Sequence, residues 1–337
     1  MSSRAQGNLI GHVVALAAVA IMAAATATLS TAEPPPRLDP AAWGADHVGQ
    51  EPPPFTTGEE CLFCHRTDVG IDWANNRHTL TIRVAEADAP AMRALAANQA
   101  SAPFAEETTL LLGGARRERF LKRGQRQGHL DILSAEFTPS RTGRRGELLN
   151  ADDPTWNVDH FADSCAGCHT TAVDPARRAF AGVCVDCYSC HGEPPFDHGE
   201  KEGLVYLAGQ RRDSAAVVAS ICGQCHIRTG TSRASGLPYA NNFVPGDNLF
   251  RDFEVDLSDE AIARLGPADA HVLENIRDMV HRGREETTCL SCHDVHGRSS
   301  KKHEKLADAQ LCWQCHDANQ PKTFHKTYEV HSDRCQY

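Results

Sequence analysis

The chain has 337 residues, 44 acidic against 34 basic side chains, a formal net charge of −10 and a mean hydropathy of −0.42. That acidity argues against a nucleic-acid binder, because a phosphate backbone would be repelled over most of the surface. Aromatic residues make up only 6%, sparse for the ordinary side-chain core of a protein this long, so another apolar component is expected to fill the interior.

The N-terminus places Arg4 ahead of an apolar run from Val13 to Leu29, followed by the small residues Ser30, Thr31 and Ala32. This is the layout of a secretory signal peptide over residues 1–32, and it predicts a periplasmic or otherwise exported protein. An uncleaved anchor is the alternative, and only in that case is a membrane a partner. Residues 33–60 carry seven prolines and read as an exposed lead-in.

Beyond the lead-in, Cys-x-x-Cys-His occurs six times. The first motif is Cys61, Cys64 and His65, the second Cys165, Cys168 and His169, and the third Cys187, Cys190 and His191. The fourth is Cys222, Cys225 and His226, the fifth Cys289, Cys292 and His293, and the sixth Cys312, Cys315 and His316. This spacing is that of c-type haem attachment. Two intervening residues let both sulfurs reach neighbouring vinyl groups of one porphyrin, and the following His is held under the iron. Paired cysteines also bind zinc or form disulfides, but neither use requires a His after the second Cys every time. Six covalent haem c groups are therefore expected, and their porphyrins supply the missing apolar volume. At the third site the pair Cys184 and Cys187 overlaps the pair Cys187 and Cys190. Tyr188 follows the first pair and His191 the second, so Cys184 is left over.

Between the first two motifs, Thr108–Leu112, Arg119–Lys122 and Leu130–Phe137 are apolar runs bounded by glycines, which predicts a small antiparallel sheet near residues 105–140. The basic residues Arg116, Arg117, Arg119, Lys122, Arg123 and Arg126 fall there, as a solvated strand and loop or as a docking or propionate-binding patch. Ser214 is a candidate cap for a helix running into Cys222. Ser258 opens a short helix that stops at Gly266, and Pro267 opens a second one through His281. The expected fold class is mostly α and irregular: a multihaem cytochrome c with sparse secondary structure wrapped on haems, plus a small β insertion. Residues 61–200 would form an N-terminal multihaem region and residues 201–337 a C-terminal one.

The sixth iron ligand decides what such haems do. Met92 and Met279 are the only methionines after residue 32, whereas eleven histidines lie outside the motifs and the signal. Bis-His ligation and low potential are expected. His78, His160, His198, His281, His296 and His331 are the preferred distal ligands, each within 15 residues of a motif. His325 is balanced, and His47, His129, His271 and His303 read as structural or surface residues. His296 lies three residues after His293, a span of at most about 10 Å. The chain cannot round a porphyrin edge in that distance, so His296 would ligate a neighbouring haem.

The stretches Cys165-Ala-Gly-Cys-His-Thr-Thr, Cys187-Tyr-Ser-Cys-His-Gly with His198 beyond it, Cys222-Gly-Gln-Cys-His and Cys289-Leu-Ser-Cys-His-Asp-Val-His-Gly resemble periplasmic multihaem cytochromes related to the tetrahaem cytochrome that takes electrons from hydroxylamine oxidoreductase in nitrifiers. The resemblance spans roughly residues 55–334. It implies distal ligands at His78, His198, His281 and His296. The chain departs from that group in haem number, in the 66–164 insertion and in its C-terminus.

The expected function is electron transfer between redox proteins, the donor and acceptor being cytochromes or a membrane quinol-linked complex. An oxidoreductase acting on a small nitrogen or sulfur oxyanion at an open iron is the alternative, and a subunit of a haem filament is a third possibility. Cys335 stands two residues from the end, either as the first half of a seventh motif or as a thiol whose only partner outside the motifs is Cys184.

Overall fold

The computed structural model describes residues 59–299, apart from 115, 127, 141–145, 195–197, 201–204, 209–211, 241–242 and 282–287. The expected signal and most of the expected lead-in lie outside the described residues. So does the whole sixth motif, that is Cys312, Cys315 and His316, together with His47, His303, His325, His331 and Cys335. Glu59 and Glu60 belong to the first described helix, α1 (Glu59–Cys64).

A π-helical turn (Arg66–Gly70) and a single turn, α2 (Ile71–Trp73), follow. The chain then builds one antiparallel six-stranded sheet: β1 (Ile82–Val84), β2 (Leu110–Gly113), β3 (Glu118–Arg123), β4 (Leu130–Thr138), β5 (Glu147–Leu149) and β6 (Trp156–Asn157). The order is β1-β2-β3-β4-β5, with β6 on β4. The sheet is thus wider than the glycine-bounded runs suggested. β1, β5 and β6 are two or three residues long, too short for an alternation to stand out in sequence. Between β1 and β2 lie α3 (Pro90–Ala97) and α4 (Ala102–Glu107), each opened by a proline in its first turn.

Strand periodicity explains why both faces of this sheet are covered. Leu112, Leu121, Leu130 and Ile132 point to one face, where they meet Phe161, Ala166, Phe180 and Cys184. Their neighbours Leu111, Phe120 and Leu133, with Ala135 and Phe137, point to the other and meet Ala91, Met92 and Leu95 of α3. Leu111, Phe120, Leu121, Ile132 and Leu133 have no exposed surface, and each such side chain contributes about 1.5–3 kcal/mol. The β2–β3 turn depends on Gly113, whose φ is +93° and whose Cβ would lie 2.4 Å from the Arg117 carbonyl oxygen.

The first face of the sheet carries the second motif. α5 (His160–Ser164) and α6 (Ala166–His169) lead into the hairpin β7 (Thr170–Asp174) and β8 (Ala179–Val183). The third motif forms α7 (Tyr188–His191), and α8 (Ala215–His226) ends on the fourth. Ser214 accepts from the Val217 amide, and Ser258 caps α9 (Asp259–Ile262) by accepting from Ala261. A short two-stranded sheet pairs β9 (Thr231–Ser232) with β10 (Phe253–Glu254). α10 (Pro267–His281) packs on α8 through Leu273, Ile276 and Met279, with Ala215, Ala219, Leu249 and Phe253 in the same core. The fifth motif is α11 (Cys289–Cys292). Among the described residues no helix is long and apolar enough to cross a membrane.

Candidate functional site: a cluster of haem-attachment turns

Every described motif is one helical turn. The His amide donates to the carbonyl of the first Cys at 2.9 Å for His65, 3.1 Å for His169, 2.9 Å for His191 and 3.0 Å for His293. The fourth motif closes the same way as the last turn of α8. Residues three and four apart share a helix face, so each turn presents two sulfurs and one imidazole together. Among the described residues no cysteine is in a disulfide, and no group of three or more His, Cys, Asp or Glu side chains converges as a bare metal ion would require. A porphyrin iron needs only two axial protein ligands, so this donor set fits haem.

The turns lie close to one another. The thiols of Cys61 and Cys187, of Cys168 and Cys225, and of Cys222 and Cys289 lie close enough to act on one another's ionisation. Cys190 lies near enough to Cys222 and Cys225 for its charge to act on both. The first and third motifs are therefore neighbours, as are the second and fourth, and the fourth and fifth. Gln224, inside the fourth motif, donates to the Ser189 carbonyl inside the third at 3.0 Å. Burial pushes the Cys165 and Cys190 thiols up to about 11, as apolar surroundings do.

Three motif histidines each face a histidine from a distant part of the chain. His65 and His198 have ring centres 6.1 Å apart, His78 and His226 6.1 Å, and His191 and His296 5.7 Å. An iron bonded to two imidazoles at about 2 Å each, with each ring centre roughly 1 Å beyond its nitrogen, places the centres about 6 Å apart.

The other ring nitrogens are held. His191 Nδ1 lies 2.6 Å from the Tyr206 carbonyl oxygen and His78 Nδ1 3.0 Å from Asn76 Oδ1. Both oxygens can only accept, so Nδ1 carries the proton and Nε2 keeps its lone pair for a metal. His65 Nδ1 lies 2.9 Å from Asp68 Oδ2. Burial holds His78, His191 and His296 below the usual histidine range, which favours the neutral, metal-binding form.

The remaining candidates differ. His160 is exposed, with Ser164 Oγ 3.4 Å from its Nδ1. It makes no described ring contact with a motif histidine. The backbone of His281 ends α10, and its side chain lies outside the description. The expected haem cysteines Cys312 and Cys315, the expected proximal ligand His316 and the expected distal ligand His331 all fall outside the described residues. His169 is half-buried, and desolvation also lowers its pKa. His129 immediately precedes β4, 3.6 Å from Asp131, and His271 is hydrogen-bonded to Asn275 on its own helix. Met92 and Met279 are both buried in the apolar clusters, so each already has a packing role. In the basic stretch, Arg117 and Arg119 pair with Glu136, and Lys122 pairs with Glu107 over the Trp156 ring.

Cys184 has a local role. It is buried, with φ +68°, and its thiol donates to the Ile82 carbonyl at 2.9 Å while accepting from the Ile82 amide at 3.3 Å. It ties β1 to the end of β8. Sequence reasoning missed Asn76, Trp73, Asp68 and Tyr206, which hold the imidazoles. Tyr206 acts through its backbone carbonyl and leaves no sequence signal, whereas Asp68 and Asn76 lie within three residues of a ligating candidate and were open to inspection.

The family model described as the doubled CXXCH motif matches residues 281–321, a stretch enclosing the fifth motif and the sixth, with Cys312, Cys315 and His316. No curated protein matches. Among solved structures the chain is similar to the undecahaem cytochrome from the S-layer of Carboxydothermus ferrireducens, at 16% identity and a TM-score of 0.39. The match covers 83% of this chain and 44% of that one, so the chain spans less than half the length of that protein. The doubled motif and its repeats indicate a multihaem c-type cytochrome that binds haem c through Cys-x-x-Cys-His.

Proposed function

We propose that this chain is an exported electron carrier with six covalent haems, bis-His ligated and of low potential. The observation that carries the reading is the set of three His–His ring pairs at an iron-spanning separation. An iron with imidazole on both faces has no open position for a substrate and exchanges only electrons. The adjacency of the motif turns supports the same reading, since it brings the attached groups close together. The haem supplies the redox chemistry. The protein would hold it by two sulfurs and fix the imidazole orientation. The sixth haem of the proposal, on Cys312 and Cys315 with His316 beneath its iron, rests on its motif and on the doubled-motif match. The partners on this reading are donor and acceptor redox proteins, with a membrane involved only through an uncleaved N-terminal anchor and no nucleic acid. The compartment is the periplasm or beyond, and the kinship with the nitrifier tetrahaem cytochrome family forms part of the proposal.

The test is made on mature exported protein. Its mass after acid treatment should exceed the apoprotein by six haems, and its ferric resonance spectrum should be dominated by low-spin iron. Four or fewer haems would defeat the count. A predominantly high-spin spectrum would defeat the carrier reading in favour of an enzyme acting on a small nitrogen or sulfur oxyanion.

A further inference from the structure

Asn76 occupies the turn after α2, with its own amide bonded to the Trp73 carbonyl at 2.8 Å. It is 3% exposed. Its Nδ2 donates to the carbonyls of Val295 at 2.8 Å and Gly297 at 2.6 Å, the two residues that flank His296. Its Oδ1 accepts from the His78 amide at 2.9 Å and lies 3.0 Å from His78 Nδ1. The two carbonyls can only accept, which fixes the amide orientation, and the whole capacity of the side chain is used: two donors on one loop, two acceptor positions on one residue. Trp73 lies against the same two imidazoles. Its ring centre is 6.1 Å from that of His78 at an interplanar angle of 16°, and 6.2 Å from that of His296 at 81°. The Arg77 amide, donating to Ser299 Oγ at 2.6 Å, and the Arg298–Asp72 pair at 2.7 Å brace the same two segments from outside.

The histidines so held face different motifs. His78 faces His226 of the fourth, and His296 faces His191 of the third. We infer that Asn76 is a positioning residue that fixes the distal ligands of two different haems at once, those of the third and fourth motifs, so that their ligation is coupled. This rests on the reading of His78 and His296 as iron ligands. Only an amide serves both haems. A carboxylate keeps the acceptor for His78 but would face the Val295 and Gly297 carbonyls with no donor, and an apolar residue serves neither.

The experiment uses full-length mature protein and counts high-spin ferric iron by resonance spectroscopy, with a mass measurement on each variant. His78→Ala and His296→Ala should each convert one haem to high spin, and the double variant two. Asn76→Ala should make the same two haems partly high spin, and added imidazole should return them to low spin. The basis is that losing an outer-shell partner weakens a ligand roughly 10- to 100-fold. Combining Asn76→Ala with the double His variant should add no further high-spin iron. Asn76→Asp should separate the two effects: the haem of the third motif gains high-spin character, while that of the fourth stays low-spin with a lowered potential. If Asn76→Ala does not mature, Asn76→Asp alone decides. High-spin iron at neither haem together with unmoved potentials, or an effect at only the fourth haem, overturns the inference. If the His variants leave every iron low-spin, the ligand reading fails first. If they behave as expected and both Asn76 variants are silent, only the positioning role fails.

Discussion

Gly167 lies between the two cysteines of the second motif, and its hydrogen faces the ring of Tyr239. A Cβ at position 167 would lie 2.2 Å from both Cδ2 and Cγ of Tyr239 and 2.5 Å from its Cβ. The ring cannot retreat easily, because Tyr239 is 1% exposed and its hydroxyl donates to the Ala162 carbonyl at 2.5 Å. Burial also raises the Tyr239 pKa, so the hydroxyl keeps its proton for that bond. Gly167→Ala must therefore move the ring by more than an ångström, or move the turn that carries Cys165 and Cys168. Overpacking of this kind costs about 1–3 kcal/mol, and stretching or breaking the buried hydrogen bond adds roughly 0.5–1.5 kcal/mol. We expect a loss of about 1.5–4.5 kcal/mol, read as a fall in the ferric protein's denaturation midpoint at fixed pH with haem content checked by mass. Gly167→Ala in a Tyr239→Gly background should cost at least about 1 kcal/mol less than in the wild type, because both the ring and the Cβ that obstruct it have gone. A Gly167→Ala protein within about 0.5 kcal/mol of wild type would refute the packing argument.

Two further outcomes follow from the same contacts. Cys184→Ala should retain every covalent haem while losing about 1–3 kcal/mol from the unpaired Ile82 backbone groups, whereas Cys187→Ala should lose one thioether; intact mass and a haem stain after denaturation distinguish them, and a haem lost from Cys184→Ala would reverse the register of the third site. Glu118 on β3 has its pKa raised above the ordinary 4.5 by burial, which outweighs the Arg83 guanidinium 2.9 Å away. Its folded state therefore binds the proton more tightly, so the stabilisation is complete below about pH 4.5 and is lost as pH rises through the raised folded value. Relative to Glu118→Gln, the wild type should lose stability across that interval, and a difference that is flat with pH, or that grows in the wild type's favour, would contradict the sign.

The described motif turns were legible because their chemistry is local. Five consecutive residues fix two sulfurs and an imidazole on one turn, and no distant part of the chain is needed. The helix starts at Ser214 and Ser258 were legible for the same reason, since a cap bonds an amide three residues on. The sheet was legible in its long strands, where Leu111 parts from Leu112, and Ile132 from Leu133, to opposite faces. β1, β5 and β6 were not. They are strands only because β2 and β4 offer open edges for them to pair with.

The sequence by itself determined that the protein carries haem-attachment turns, that methionine is too scarce to ligate more than two of them, and that His296, if a ligand, must serve a haem other than its own. Only the tertiary structure decided which imidazoles meet: His65 with His198, His78 with His226 and His191 with His296. The members of each pair lie more than a hundred residues apart, and every such histidine carries the same local chemistry. Nothing in the neighbourhood of a histidine names its partner. That choice is made by the packing of the motif turns and by side chains such as Asn76, whose hydrogen bonds to Val295 and Gly297 exist only once segments some 220 residues apart have come together.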